Sequence, residues 1–293
     1  MRKIFANVAT QLIENEPHSA LLLGDIGVYG FRDVLARYPQ RVFNIGILEQ
    51  SMISLGAGLA SEGIIPIIHT IAPFMVERAY EQIKIDFGYQ NLPGNLVSVG
   101  ASFDYTKLGC THHCPADINL MSNIPGVNIF IPGHSDEFQY QFKDNWDNGS
   151  LNYFRLSEHE NTSRIELKNS ELKRIKDGTK GTVIVVGPLL DEVLKGTDGM
   201  DLEIHYTNSI SFSRSAEISS IFPGNKVIIV EPYYSGALLL SMSEQLTKNR
   251  NEILQIGVPR QFINKYGSYD QALFHLGLDS NSLRKRIGEF LTK

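Results

Sequence analysis

A lone acid, Glu49, closes the apolar run Ile45-Gly46-Ile47-Leu48 and opens a stretch of small residues that includes Gly56, Ala57, Gly58 and Ala60. A carboxyl group in such a place is costly to bury unless something hydrogen-bonds it or shares its proton, so proton chemistry is the first expectation for it. A second cluster is Cys110-Thr111-His112-His113-Cys114. Histidine titrates near neutrality and can donate a hydrogen bond to a developing alkoxide or carry a proton. The same five residues supply zinc-type ligands, but contiguous ligands rarely converge on one ion and zinc spacings are wider. Asp25, in Gly24-Asp25-Ile26-Gly27, reads as a turn or N-cap acid. Phe74 reads as helix core, and His69 as a strand-end histidine or an added substrate contact.

The elements that must position these groups alternate along the chain. Residues 2–15 have a helical pattern, 20–23 form a buried strand, 31–38 a helix and 41–45 a short strand leading to the Glu49 helix, which Gly63 stops. Strands follow at 64–69, 95–99, 127–131 and 151–156, with helices begun by Pro73 and spanning 135–146, and a long polar loop at 100–115. The bare helix face after Glu49 suits a tight subunit contact or a cofactor. The polar stretch 166–180 reads as a linker, separating residues 1–165 from 181–293. In the second part, 182–186, 202–206, 226–230 and 252–256 read as buried strands separated by helices. The expected fold class is α/β: two α/β domains, each a mainly parallel sheet flanked by helices, with ligand sites at the C-terminal ends of strands.

The bulk properties exclude several classes of function. The chain has 293 residues, 42% hydrophobic, and a formal net charge of −5, which offers no footprint for nucleic acid or an acidic membrane. Arg284-Lys285-Arg286 reads as a solvated helix face. No apolar stretch approaches the roughly 20 residues of a membrane span, and the first residues lack an apolar signal core. Two cysteines build no disulfide framework, which agrees with a cytoplasmic location.

Four segments together resemble the transketolase type of thiamine-diphosphate enzyme, in its pyrimidine-binding and C-terminal domains. They are Gly24-Asp25-Ile26, the segment Asn44 to Met52 around Glu49, the stretch from Pro66 to Ile83, and Gly109-Cys110-Thr111-His112-His113. The resemblance implies that Glu49 hydrogen-bonds the cofactor's pyrimidine nitrogen and favours the tautomer that deprotonates the thiazolium carbon. It implies that Phe74 packs on the pyrimidine, with Ile71 where an aromatic is common, and that Asp25 and Ile26 lie beside the thiazolium. His112 would face the reacting carbonyl oxygens with His113 beside it, and Arg2 falls at a family arginine; Arg155, near the missing arginine, and His69, at its strand end, are further expected substrate contacts.

Departures from the family bear on the substrate. A histidine, an acid and an arginine expected around the substrate fall near Gly100, near Leu108 and at Glu158. Losing a cation and gaining an acid disfavours a phosphate dianion, so an ordinary sugar phosphate is not expected. The Gly-Asp-Gly motif that holds the diphosphate through Mg2+ is absent from the chain. The resemblance therefore implies a partner N-terminal subunit that supplies the metal and diphosphate ligands, in an α2β2 heterotetramer acting in carbohydrate metabolism. The alternatives are the E1 β subunit of a 2-oxo acid dehydrogenase, a 1-deoxyxylulose-phosphate-synthase-like activity, and a non-catalytic scaffold subunit.

Overall fold

Leu21 and Leu23 join one apolar cluster and Leu22 the other, and all three are fully buried, as an interior strand covered on both faces requires. The computed structural model describes residues 1–167, 171–210, 225–243 and 251–292. In it this strand, β1 (Ser19–Leu23), lies in a six-stranded parallel sheet with β2 (Val42–Asn44), β3 (Ile65–Ile71), β4 (Gly94–Val99), β5 (Asn128–Phe130) and β6 (Leu151–Arg155). The spatial order is β2-β1-β3-β4-β6-β5. Helices α1 (Arg2–Asn15) and α2 (Val28–Arg37) cover one face through Phe5, Ile13, Phe31 and Val34. Helix α3 (Glu49–Ser61) covers the other through Met52, Ile53 and Ala57.

The small residues of α3 face inward, not toward a partner. A β-carbon on Gly56 would lie 2.5 Å from Ile68 Cδ1, so the missing side chain lets α3 press on β3. This corrects the expectation of a bare face left free for a subunit or cofactor; only Gly58 of the group is exposed. The segment after β3 also departs from a regular helix. Pro73 begins it as expected, but Pro73–Glu77 and Ile83–Tyr89 are π-helical turns on either side of the short helical stretch Tyr80–Gln82. Wide turns of this kind recur at functional sites.

The second sheet has the order β11-β10-β8-β9-β7. Its strands are β7 (Lys173–Lys176), β8 (Thr182–Val186), β9 (Glu203–Thr207), β10 (Lys226–Tyr234) and β11 (Glu252–Val258). All pairs are parallel except β7 with β9. Thus Lys173–Lys176, inside the stretch expected to be a linker, is an edge strand, and its charges are those of a strand with one side open to water. β11 is likewise an edge and only partly buried. Residues 211–224 and 244–250, within connections expected to be helical, lie outside the described residues, as do 168–170 of the expected linker. Glu137 joins the two halves: its buried carboxylate accepts from Gly133 N, Ile165 N, Tyr206 OH and Asn208 Nδ2 at 2.7–3.1 Å. No helix among the described residues is long and apolar enough to cross a membrane.

Candidate functional site

The turn between β2 and α3 aims Glu49 inward. Gly46 takes a φ of 81°, Ile47 and Leu48 are exposed, and Glu49 begins the helix with 1% of its surface accessible. One carboxyl oxygen, Oε2, accepts from Arg78 Nη1 at 2.7 Å; the other, Oε1, is buried with no hydrogen-bond partner among the described residues. The Arg78 guanidinium lies over the Phe74 ring, 4.3 Å from its centroid. Phe74 in turn meets the His112 ring edge-on, with centroids 5.3 Å apart. Glu49, Phe74 and His112 are therefore brought into one connected group, and Arg78 connects them.

His112 stands on a 3-10 turn, Cys110–His112, and its Nδ1 is hydrogen-bonded to Thr111 Oγ1 at 2.9 Å. The loop carrying it is pinned at both ends. Cys114 N donates to Ser102 O at 2.7 Å, while Asp104 accepts from Ser157 Oγ at 3.0 Å and from Glu158 N at 2.9 Å. Burial pushes Asp104 up to about 7, against the opposing pull of those hydrogen bonds and of Arg155. A β-carbon on Gly100 would collide with the Tyr105 ring, so Tyr105 fills the space at the position where a family histidine was expected.

Asp25 adopts a φ of 62° and is exposed. Asn44 holds it there: Asp25 N donates to Asn44 Oδ1 at 3.0 Å, and Asn44 Nδ2 donates to Asp25 Oδ1 at 3.2 Å. Ile26 and Phe74 pack, partly buried, against the apolar cluster that contains the buried Ile71. Arg2 is exposed and, with Ile4, Val99, Ser157 and Glu158, lines a cleft of about 520 Å³.

Three expected substrate contacts are placed elsewhere. Arg155 is 1% exposed and pairs with Asp117, Nε to Oδ2 at 2.7 Å, so its charge is already matched inside the protein. His69 is fully buried against Phe5 at 4.6 Å, its Nδ1 bonded to Val97 O at 2.8 Å, and burial holds its pKa down at about 4. His113 is 5% exposed, and burial lowers its pKa while the Tyr105 and Thr106 backbone works the other way. Cys114 is buried, its thiol donating to Glu77 Oε1 at 3.6 Å and raised by that burial, whereas Cys110 is exposed. Sequence reasoning gave no role to Arg78 or Asn44. Arg78 follows Phe74 by four residues, the spacing of neighbours on one helical face. Asn44 is the register partner of Leu23 at the strand ends, and Leu23 lies two residues before Asp25.

Residues 1–161 match the transketolase pyrimidine-binding domain. The chain is 34% identical over 291 residues to an uncharacterized 33.6 kDa protein in the fasciation locus of Rhodococcoides fascians, covering 98% of this chain and 93% of that one. It is 25% identical over 310 residues to an apulose-4-phosphate transketolase subunit of Phocaeicola vulgatus, covering 100% and 97% respectively. It also matches 1-deoxy-D-xylulose-5-phosphate synthase of Thermotoga petrophila at 29% identity over 267 residues, spanning 85% of this chain and 42% of that one. Among solved structures, a split-gene transketolase in an inactive β4 tetramer shares the fold at a TM-score of 0.80 and 19% identity, covering 99% of this chain and 97% of that one.

Proposed function

The chain belongs to the transketolase family, and on that premise we propose that it is one subunit of a split, thiamine-diphosphate-dependent enzyme. The reaction is transfer of a two-carbon ketol unit from a ketose-type donor to an aldehyde acceptor. In this reading residues 1–165 are the pyrimidine-binding domain and 181–293 the C-terminal domain, and the enzyme works in the cytoplasm. One observation carries the reading. Glu49 Oε1 is buried with no partner among the described residues, and Arg78, bonded to Oε2, links this carboxyl group to the half-buried Phe74 ring. Buried polar atoms are nearly always paired, so an orphan carboxyl oxygen at a family position fits a ligand with a flat ring whose nitrogen can share a proton with it.

Thiamine diphosphate, when bound, would supply an electron-withdrawing thiazolium for the two-carbon transfer. This chain's residues do the rest. Glu49 shares a proton with the ring nitrogen, and Phe74 stacks against the ring. The Asp25-Ile26 turn, held by Asn44, would border the cofactor's thiazolium. His112 holds or moves a proton at the substrate's carbonyl oxygen. Ile71 supports this wall from within the core. Arg2 reaches the substrate cleft, where Glu158 opposes an anion and favours a hydroxyl-bearing substrate over a sugar phosphate dianion.

No three His, Cys, Asp or Glu side chains among the described residues stand close enough to share a metal ion, and the sequence has no Gly-Asp-Gly. A partner N-terminal subunit therefore supplies the Mg2+ and diphosphate ligands, and the assembly is α2β2. The match to 1-deoxyxylulose-phosphate synthases favours a second reading, in which pyruvate is decarboxylated; release of carbon dioxide from pyruvate distinguishes the two.

The test is titration of thiamine diphosphate with Mg2+ into this chain alone and with a partner chain carrying Gly-Asp-Gly. Tight binding and ketol transfer only in the mixture are expected, with a loss on the order of 10²- to 10⁴-fold for Glu49→Gln. Full turnover by the chain alone, or by the Glu49→Gln complex, refutes the reading.

A further inference from the structure

Glu49 reaches the site with half of its hydrogen-bonding capacity already committed. Oε2 is taken by Arg78 Nη1 at 2.7 Å, while Oε1 is buried and unpaired. The same guanidinium stacks over Phe74, 4.3 Å from the ring centroid, and is itself 37% exposed. Arg78 thus touches both groups with which this chain would address a flat heterocycle.

Resting on the functional reading above, we propose that Arg78 is a positioning residue for the cofactor's ring. It fixes the Glu49 carboxyl group through Oε2, leaves Oε1 as the oxygen presented to a ring nitrogen, and braces Phe74. A buried carboxylate without a countercharge is strongly disfavoured, and removing one partner of such a pair leaves the other uncompensated. Arginine suits this double duty because its planar, permanently protonated fork donates hydrogen bonds at its edge while its face lies on an aromatic ring. Two contacts on one guanidinium lock the rotamers of Glu49 and Phe74 together, so binding requires little reorganisation. Glu49 Oε1 would then be the carboxyl oxygen that shares a proton with the ring nitrogen.

The test uses the complex reconstituted with its partner subunit. Thiamine diphosphate affinity is measured by protein-fluorescence quenching, and the bound aminopyrimidine by near-ultraviolet circular dichroism. Wild type is compared with Arg78→Met and Arg78→Lys, with far-ultraviolet dichroism and Tm checking the fold. Loss of one charge-assisted bond predicts binding weaker by about tenfold to a hundredfold in Arg78→Met. The aminopyrimidine band should change with it, and Arg78→Lys should recover part of both. Wild-type affinity and an unchanged band in a folded Arg78→Met complex overturn the inference alone. Tighter binding by Arg78→Met also overturns it, because the guanidinium would then occupy the ring's place. A wild-type complex that binds no thiamine diphosphate overturns the functional reading, and this inference with it.

Discussion

Arg155 and Asp117 meet inside the protein, Nε to Oδ2 at 2.7 Å, with 1% and 0% of their side chains exposed. Arg155 Nη2 also donates to Ser102 Oγ at 2.5 Å, and Tyr153 OH donates to Asp117 Oδ2 at 3.0 Å. Ser102 Oγ is hydrogen-bonded in turn to the Pro232 carbonyl. The pair therefore ties β6, the start of the histidine loop and β10 together, which is architecture and not substrate recognition. Arg155→Met should cost about 3–5 kcal/mol by stranding a buried carboxylate, read as a lower urea midpoint. A stable Arg155→Met protein whose only defect is a raised KM would restore the substrate role.

His69 is expected to make the protein acid-sensitive. In the folded chain burial keeps its pKa at about 4, opposed by the Val97 carbonyl, whereas an unfolded histidine titrates near 6.5. Between those values the unfolded state binds more protons. The contribution is therefore whole above about 6.5 and is lost as pH falls toward 4, up to about 3 kcal/mol. His69→Gln should flatten this part of the stability profile. An imidazole titrating near 6.5 by NMR in the folded protein would sink the prediction.

Asp104 acts with the opposite sign. Its folded pKa, pushed up to about 7 mainly by burial, lies above the 3.8 of an unfolded aspartate. Its contribution is full below about 4 and is lost as pH rises through 7. Part of the residue reaches solvent, which screens the effect to about 1–2 kcal/mol. In Asp104→Asn, Oδ1 can still accept from Glu158 N, and the Ser157 hydroxyl can rotate to accept from Nδ2. That variant should gain Tm over wild type at pH 8 and little at pH 4.5; equal differences at both pH values would contradict it.

Gly109 combines a φ of 79° with a close neighbour. A β-carbon there would lie 2.7 Å from the Tyr266 ring, which comes from the C-terminal half. Gly109→Ala should cost about 1–2 kcal/mol and displace the turn that carries Thr111 and His112, lowering activity. Adding Tyr266→Ala should return the steric part but not the backbone strain. The readout is a double-mutant cycle on unfolding free energy, and strictly additive losses would mean that the two residues do not interact.

The mainly parallel sheets were legible in the residues alone, and the family was legible in a resemblance carried by four short segments. Strands such as β1 and β8 are buried on both faces and so read as near-continuous apolar runs. Glu49, Phe74 and His112 could be singled out by type, order and local setting. The edge strand β7 could not, because Lys173, Arg174 and Lys176 carry the charge of a solvated segment.

Burial and partnership were decided only by the tertiary structure. Arg155 looked like a free cation until its partner Asp117, 38 positions earlier, met it inside the core. His69 looked like a strand-end ligand until Phe5 closed over it. Arg78 had no assigned role until it took one oxygen of Glu49, 29 positions away. Local sequence specifies the backbone's periodicity and the functional group. The state of that group depends on the charges and dielectric around it, which exist only once distant segments have packed together.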